Sequence, residues 1–119
     1  MKRNWELVRE ILLSLENKES SLDYLEPEQV EGYGSELVSY HIQILDEAGL
    51  IEGHCTQAMG SPVHCYAKRL TWIGHEFLDE IRSETVWSRT KSLLKDKGIA
   101  LSFEAISMAV RAVISSMLA

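Results

Sequence analysis

A chain of 119 residues is long enough for one hydrophobic core and too short for two. At 45% hydrophobic and 25% charged residues it has the make-up of a soluble globular protein. Its formal net charge of −6 counts against any function built on broad phosphate contact, and no apolar run approaches the roughly 18 residues of a membrane span.

The charge is unevenly spread. Residues 1–34 hold four basic and eight acidic side chains, 35–70 two and four, and 71–119 six of each. No segment is a basic patch, so a nucleic-acid site would have to be gathered by folding. The start, MKRNWELVRE, carries Glu6 and Glu10 and lacks the apolar region of a signal peptide, so a cytoplasmic location is expected. Cys55 and Cys65 are too few for a disulfide framework and are expected as free thiols in that compartment.

In chain order, Asn4 can cap a helix over about 4–16, with Trp5, Val8, Leu12 and Leu15 on one stripe and Leu7 and Ile11 widening it. The connector NKESSLDYLEPEQVEGYG is polar and acidic. Its Leu22, Tyr24 and Val30 suit a short strand, while Pro27 suits the first position of a one-turn helix. Ser35 can cap the next helix, in which Leu37, Val38, His41, Ile42, Ile44, Leu45 and Ala48 form a broad buried face. The opposite side carries Glu36, Ser39, Tyr40, Gln43, Asp46 and Glu47. Gly49 supplies a left-handed stop, and Leu50 and Ile51 begin a strand.

The turn signal Met59–Pro62 predicts a hairpin whose second strand is Val63–Leu70. Thr71 then caps WIGHEFLDEIR, with Ile73, Phe77, Leu78 and Ile81 as its apolar face. Ser83 opens a further helix through Val86, Trp87, Leu93 and Leu94, closed by Gly98. A last helix over 102–118 repeats Phe103, Ile106, Val110, Val113 and Met117, with Ala and Ser filling much of the remainder.

Helix, connector, helix ending in AGLIE, hairpin, and a helix opening with LT is the order of a winged-helix domain. The fold class expected is therefore α+β, with a winged-helix domain over 1–82 and a C-terminal helical extension over 83–119. The stretch YHIQILDEAGLIEG resembles the recognition helix and first wing strand of bacterial winged-helix repressors, and RLTWIGHEFLDEI resembles their second wing strand and following helix. These stretches, with Leu101-Ser102-Phe103-Glu104, also resemble a family of uncharacterised bacterial and phage-encoded proteins classed as a domain of unknown function. That resemblance implies a phage or prophage context. One departure from the repressors is the short or absent helix before the recognition helix.

The function expected is DNA binding by a transcriptional regulator. Ser35, Ser39, Tyr40 and Gln43 would meet the major groove, where Gln can pair with adenine and hydroxyls can reach phosphates or base edges. Lys68 and Arg69 would hold phosphates from the second wing strand, flanked by Lys2 and Arg3. The alternative, from a different class, is a protein-interaction module whose acidic helix face engages a host or phage protein.

His54-Cys55 and His64-Cys65 carry zinc-ligand chemistry, but neighbouring strand residues point to opposite faces, so one face offers only two of the four. No metal and no cofactor is expected. Neither a phosphate-binding glycine loop nor a nucleophile elbow is present, and His41 and His75 have no evident partner, so the chain is expected not to be an enzyme. Trp5, Trp72 and Trp87 are expected in the core. The last helix either caps the domain or forms a homodimer interface, with equal weight.

Overall fold

The computed structural model describes all 119 residues as an α+β protein of five helices and one two-stranded antiparallel sheet. Its contacts divide the chain into two compact units, Met1–His75 and Glu76–Ala119.

In the first unit, α1 (Trp5–Glu16) opens on Asn4, whose Oδ1 accepts from the Glu6 and Leu7 amides at 3.0 and 3.3 Å. Leu7, Val8, Ile11, Leu12 and Leu15 are all buried, each contributing about 1.5–3 kcal/mol by leaving water. The connector takes the one-turn helix and forms no strand through Leu22, Tyr24 and Val30; only Leu25 bridges to the hairpin. Leu25 exchanges two backbone hydrogen bonds with Ala67, and a single 3-10 turn, Pro27–Gln29, follows at once. Gln29 Oε1 accepts from the Glu26 amide at 2.8 Å, closing that turn.

Helix α2 (Ser35–Glu47) begins at Ser35 itself, the residue read from the sequence as its cap. Gly34 is the N-cap and donates no side chain, so Ser35 lies within the first turn instead of capping it. At the other end the expected glycine stop is complete: Gly49 sits at φ 78, its amide donates to the Asp46 carbonyl, and the Leu50 amide reaches back to Leu45 at 3.0 Å. That is a Schellman exit, with Leu45 and Leu50 both buried beneath it.

The chain leaves this exit directly into β1 (Ile51–Thr56), which pairs with β2 (His64–Leu70). The register slips between Glu52 and Gly53, and Lys68 is the extra residue of the bulge. The slip resets the alternation of β2, so Ala67 and Leu70 are both buried while Arg69 faces out. The register also places Cys55 opposite Cys65 with Cα atoms 4.1 Å apart, and a disulfide joins them. The expected free thiols are therefore replaced by a staple across the hairpin, because the pairing brings the two residues within bonding reach.

Thr71 then locks the hairpin base to the next helix, α3 (Trp72–Ile81). Its amide donates to the Leu50 carbonyl at 3.0 Å, its Oγ1 donates to the Gly49 carbonyl at 2.6 Å, and the Gly74 amide donates to that same Oγ1 at 3.0 Å. A Cβ on Gly74 would lie 1.9 Å from the Leu50 carbonyl oxygen, so only glycine permits this approach. Two side chains expected inside are outside here: Trp72 is 78% and Ile73 56% exposed.

In the second unit, Ser83 Oγ accepts from the Val86 amide and starts α4 (Glu84–Asp96). Gly98 at φ 68 ends it, with the Ile99 amide returning to the Leu94 carbonyl. Ser102 Oγ accepts from the Ala105 amide and opens α5 (Phe103–Leu118). Trp87, Leu94, Ile106, Ala109, Val110 and Val113 are buried, and Phe103 stacks on Phe77 with ring centres 4.6 Å apart. Phe103 and Met117, expected on the inner stripe of α5, are partly exposed. No helix is long and apolar enough to cross a membrane.

Candidate nucleic-acid interface

The outer side of α2 was the surface on which function was expected to be decided. Its side chains now divide into those that hold the fold and those that face outward. Ser39 belongs to the first group: it is 2% exposed, and its Oγ accepts from the Cys65 amide at 3.1 Å. That amide points away from β1, on the edge of β2 that Leu25 also occupies. A buried N–H without a partner costs about 1–3 kcal/mol, and Ser39 supplies the acceptor. It is removed from the groove-contacting set for that reason.

Asp46 is also occupied. Its Oδ1 accepts from the Gly53 amide at 3.0 Å and pins β1 to α2, so this carboxylate is a bracket for the hairpin. What faces outward is half-buried Tyr40 and Gln43, with exposed Ser35, Glu36 and Glu47 toward the ends.

The chain start is held against the same helix. The Asn4 amide donates to His41 Nε2 at 2.8 Å, and His41 Nδ1 lies 2.9 Å from the Leu37 carbonyl. Nε2 must therefore accept and Nδ1 carry the proton, which fixes the neutral tautomer. Burial is the main reason His41 titrates below its ordinary value; the Leu37 carbonyl works against this and the Arg3 charge adds to it. His41 is thus the packed histidine that its apolar position foretold, and it also anchors the segment bearing Lys2 and Arg3. Tyr40 meets the His41 ring edge-on at 5.8 Å, and the Arg3 guanidinium lies 4.4 Å from the Trp5 ring centre. Lys2 and Arg3 are both exposed.

Lys68 and Arg69 are placed differently. Arg69 Nη2 lies 2.7 Å from Glu52 Oε1, and Nη1 donates to the Leu70 carbonyl at 3.1 Å. The Arg69 hydrogen bond holds the Glu52 carboxyl below its ordinary range. Arg69 is therefore spent at the hairpin base on a carboxylate of its own chain. Lys68, at the bulge, keeps its side chain half-exposed, and its carbonyl receives the Lys18 ammonium, which also donates to the Asp23 carbonyl. Lys18 ties the connector to β2, a role that nothing in its local sequence announces.

The only cation-ligating group the fold gathers is Glu26, Glu28 and His64, whose ligand atoms all lie within 4.8 Å of one another. His64 Nε2 is 3.4 Å from Glu26 and 3.9 Å from Glu28. The three side chains meet at the loop end of the hairpin, beside the Thr56–His64 pair. The four-residue set of the sequence is dissolved, since both thiols are in the disulfide.

A helix ending in a Schellman turn, a stapled hairpin and a chain start tied to the helix by the Asn4–His41 hydrogen bond make up a small helix-and-hairpin unit. The chain belongs to the family described as hypothetical protein DUF2513, which it matches over residues 2–100. It is 44% identical over 119 residues, the whole of both chains, to an uncharacterized protein of Haemophilus influenzae. No solved structure matches it.

Proposed function

We propose that the chain is a winged-helix DNA-binding protein, acting as a transcriptional regulator in a phage or prophage setting. In this reading α1, α2 and the β1–β2 hairpin form the winged-helix domain, with Leu25 as its third, single-residue strand and the Pro27–Gln29 turn in place of the helix before the recognition helix. Helix α2 enters the major groove with Tyr40 and Gln43 toward the bases. Lys2 and Arg3 meet the phosphates beside it, and Lys68 meets them from the hairpin. The observation that supports this most is the Asn4–His41 hydrogen bond, which holds the segment bearing the exposed Lys2 and Arg3 against α2 on an otherwise acidic protein.

Few cations imply few phosphate contacts. Three of them give a salt slope of about −3 in log affinity against log salt. A gel-shift titration with DNA flanking the protein's own gene, at low salt, tests the proposal. A discrete complex that weakens at least about tenfold in Tyr40→Ala and in Arg3→Ala is expected; no complex at micromolar protein overturns it.

A second reading is favoured by one observation: Glu36 and Glu47 stand exposed toward the two ends of the same helix face, while Arg69 is neutralised by Glu52. That face suits a basic patch on a protein partner. Absence of any DNA complex, together with a partner lost in Glu36→Lys, separates it from the first.

A further inference from the structure

In the second unit, α4 and α5 leave an open groove of about 490 Å³ between them. Leu93 and Val113 line it, and its exposed walls are small: Ser88 and Ser92 on α4, Ala112 and Ser116 on α5. The groove is not neutral along its length. Arg89 and Asp96 both line it, both are exposed, and neither makes an ion pair within the chain. Seven residues of α4, about 10.5 Å of helix axis, separate them, so they share one face two turns apart with Ser92 between them.

That arrangement is self-complementary under one symmetry operation. A two-fold axis through Ser92 turns α4 end for end and sets Arg89 of one copy opposite Asp96 of the other, twice. Small walls let helix axes approach to about 8 Å, so a helix fits where larger side chains would hold it off. We propose that the groove's occupant is α4 of a second copy of this chain. Each α4 lies antiparallel in the other's α4–α5 groove, and two reciprocal Arg89–Asp96 pairs set the register. The interface is isologous and closes on itself, so it stops at two copies. Helix α5 contributes one wall of each groove, and the contact does not depend on whether the first unit binds DNA.

The test is the mass of the full chain in DNA-free buffer, by light scattering and sedimentation, across about 1–200 μM. The wild type is expected to move with concentration from 13.5 kDa to twice that mass. Arg89→Asp and Asp96→Arg each set like charges against each other at both ends, and each is expected to raise the dimer dissociation constant at least tenfold. The combined Arg89→Asp/Asp96→Arg chain restores both pairs with their signs exchanged, and it should return to within about threefold of the wild type. Both positions are exposed, so helix content by circular dichroism should be unchanged. Ser92→Trp places bulk on the axis and should give a monomer. A monomeric wild type at 200 μM overturns the proposal, as it would if the groove instead took an unrelated partner. A dimer indifferent to the single reversals and to Ser92→Trp, or one that the double exchange fails to restore, overturns it equally.

Discussion

Gly74→Ala is the sharpest perturbation available in the first unit. The added Cβ would meet the Leu50 carbonyl oxygen at 1.9 Å and its carbon at 2.9 Å, both backbone atoms that no rotamer change can move. Reaching an ordinary contact of about 3.2 Å needs a shift of about 1.3 Å between the α3 start and the hairpin base. Overpacking of this kind costs about 1–3 kcal/mol. The shift also stretches the Thr71 amide bond to Leu50 and the Thr71 hydroxyl bond to Gly49, each contributing about 1 kcal/mol. The expected loss is therefore about 3–5 kcal/mol, or at least about 10 °C in melting temperature for a chain of this size. Urea denaturation followed at 222 nm measures it. Gly34→Ser is the companion variant: nothing lies within 4 Å of a Cβ there and the backbone is extended, so the new hydroxyl should cap α2 and stabilise by about 0.3 kcal/mol. A Gly74→Ala protein within 1 kcal/mol of the wild type would refute the close approach of α3 to Leu50.

Further outcomes follow from single contacts. Ser39→Ala strands the Cys65 amide and should cost about 1–3 kcal/mol in urea denaturation; a neutral result would mean that the hydroxyl is not its acceptor. His41 titrates below 6.5 in the folded chain, so the unfolded chain takes up the proton first. Stability should be full above pH 6.5 and fall as pH drops from 6.5 toward the folded value. His41→Gln should flatten that slope in urea midpoints taken from pH 7.5 to 5, and an unchanged slope would locate it elsewhere. Thr90 Oγ1 is buried without a partner, so Thr90→Val should raise stability by about 1 kcal/mol; a loss would show that the hydroxyl is satisfied. Reducing the Cys55–Cys65 bond, which spans a sequence separation of 10, should lower stability by about 3 kcal/mol in the chain-entropy account, checked by melting with and without reductant.

What could be read from the sequence were features whose physical demand is local. Gly49 and Gly98 were legible as helix stops because the left-handed position asks for glycine within one turn of its own helix. Asn4, Thr71, Ser83 and Ser102 were legible as caps for the same reason. Ile73, 56% exposed, is the exception. Helix α3 turns Gly74, Phe77, Leu78 and Ile81 to one side, and glycine has no side chain to mark that face by its hydrophobicity, so the periodicity points to the neighbouring Ile73. Gly34 hid in the same way behind Ser35.

The outer face of α2 was the least legible part. Helical spacing placed Ser39 and Asp46 there by polarity, but their partners, the Cys65 and Gly53 amides, exist only once the hairpin has docked. The bulge at Lys68 likewise decides that Arg69 faces out beside Glu52, and a one-residue slip in a strand leaves no compositional trace. A separate contact, the Asn4–His41 hydrogen bond, holds the segment bearing Lys2 and Arg3 against α2 through a histidine whose apolar position marks it only as packed.

The proposed interface is tested most directly by amide chemical shifts of the isotope-labelled chain, recorded during titration with a duplex from its own gene's flank at low salt. The proposal expects the largest changes at Lys2, Arg3, Tyr40 and Gln43, with smaller ones at Lys68 and none along α4. Shifts confined to other surfaces, or none at millimolar duplex, would contradict it.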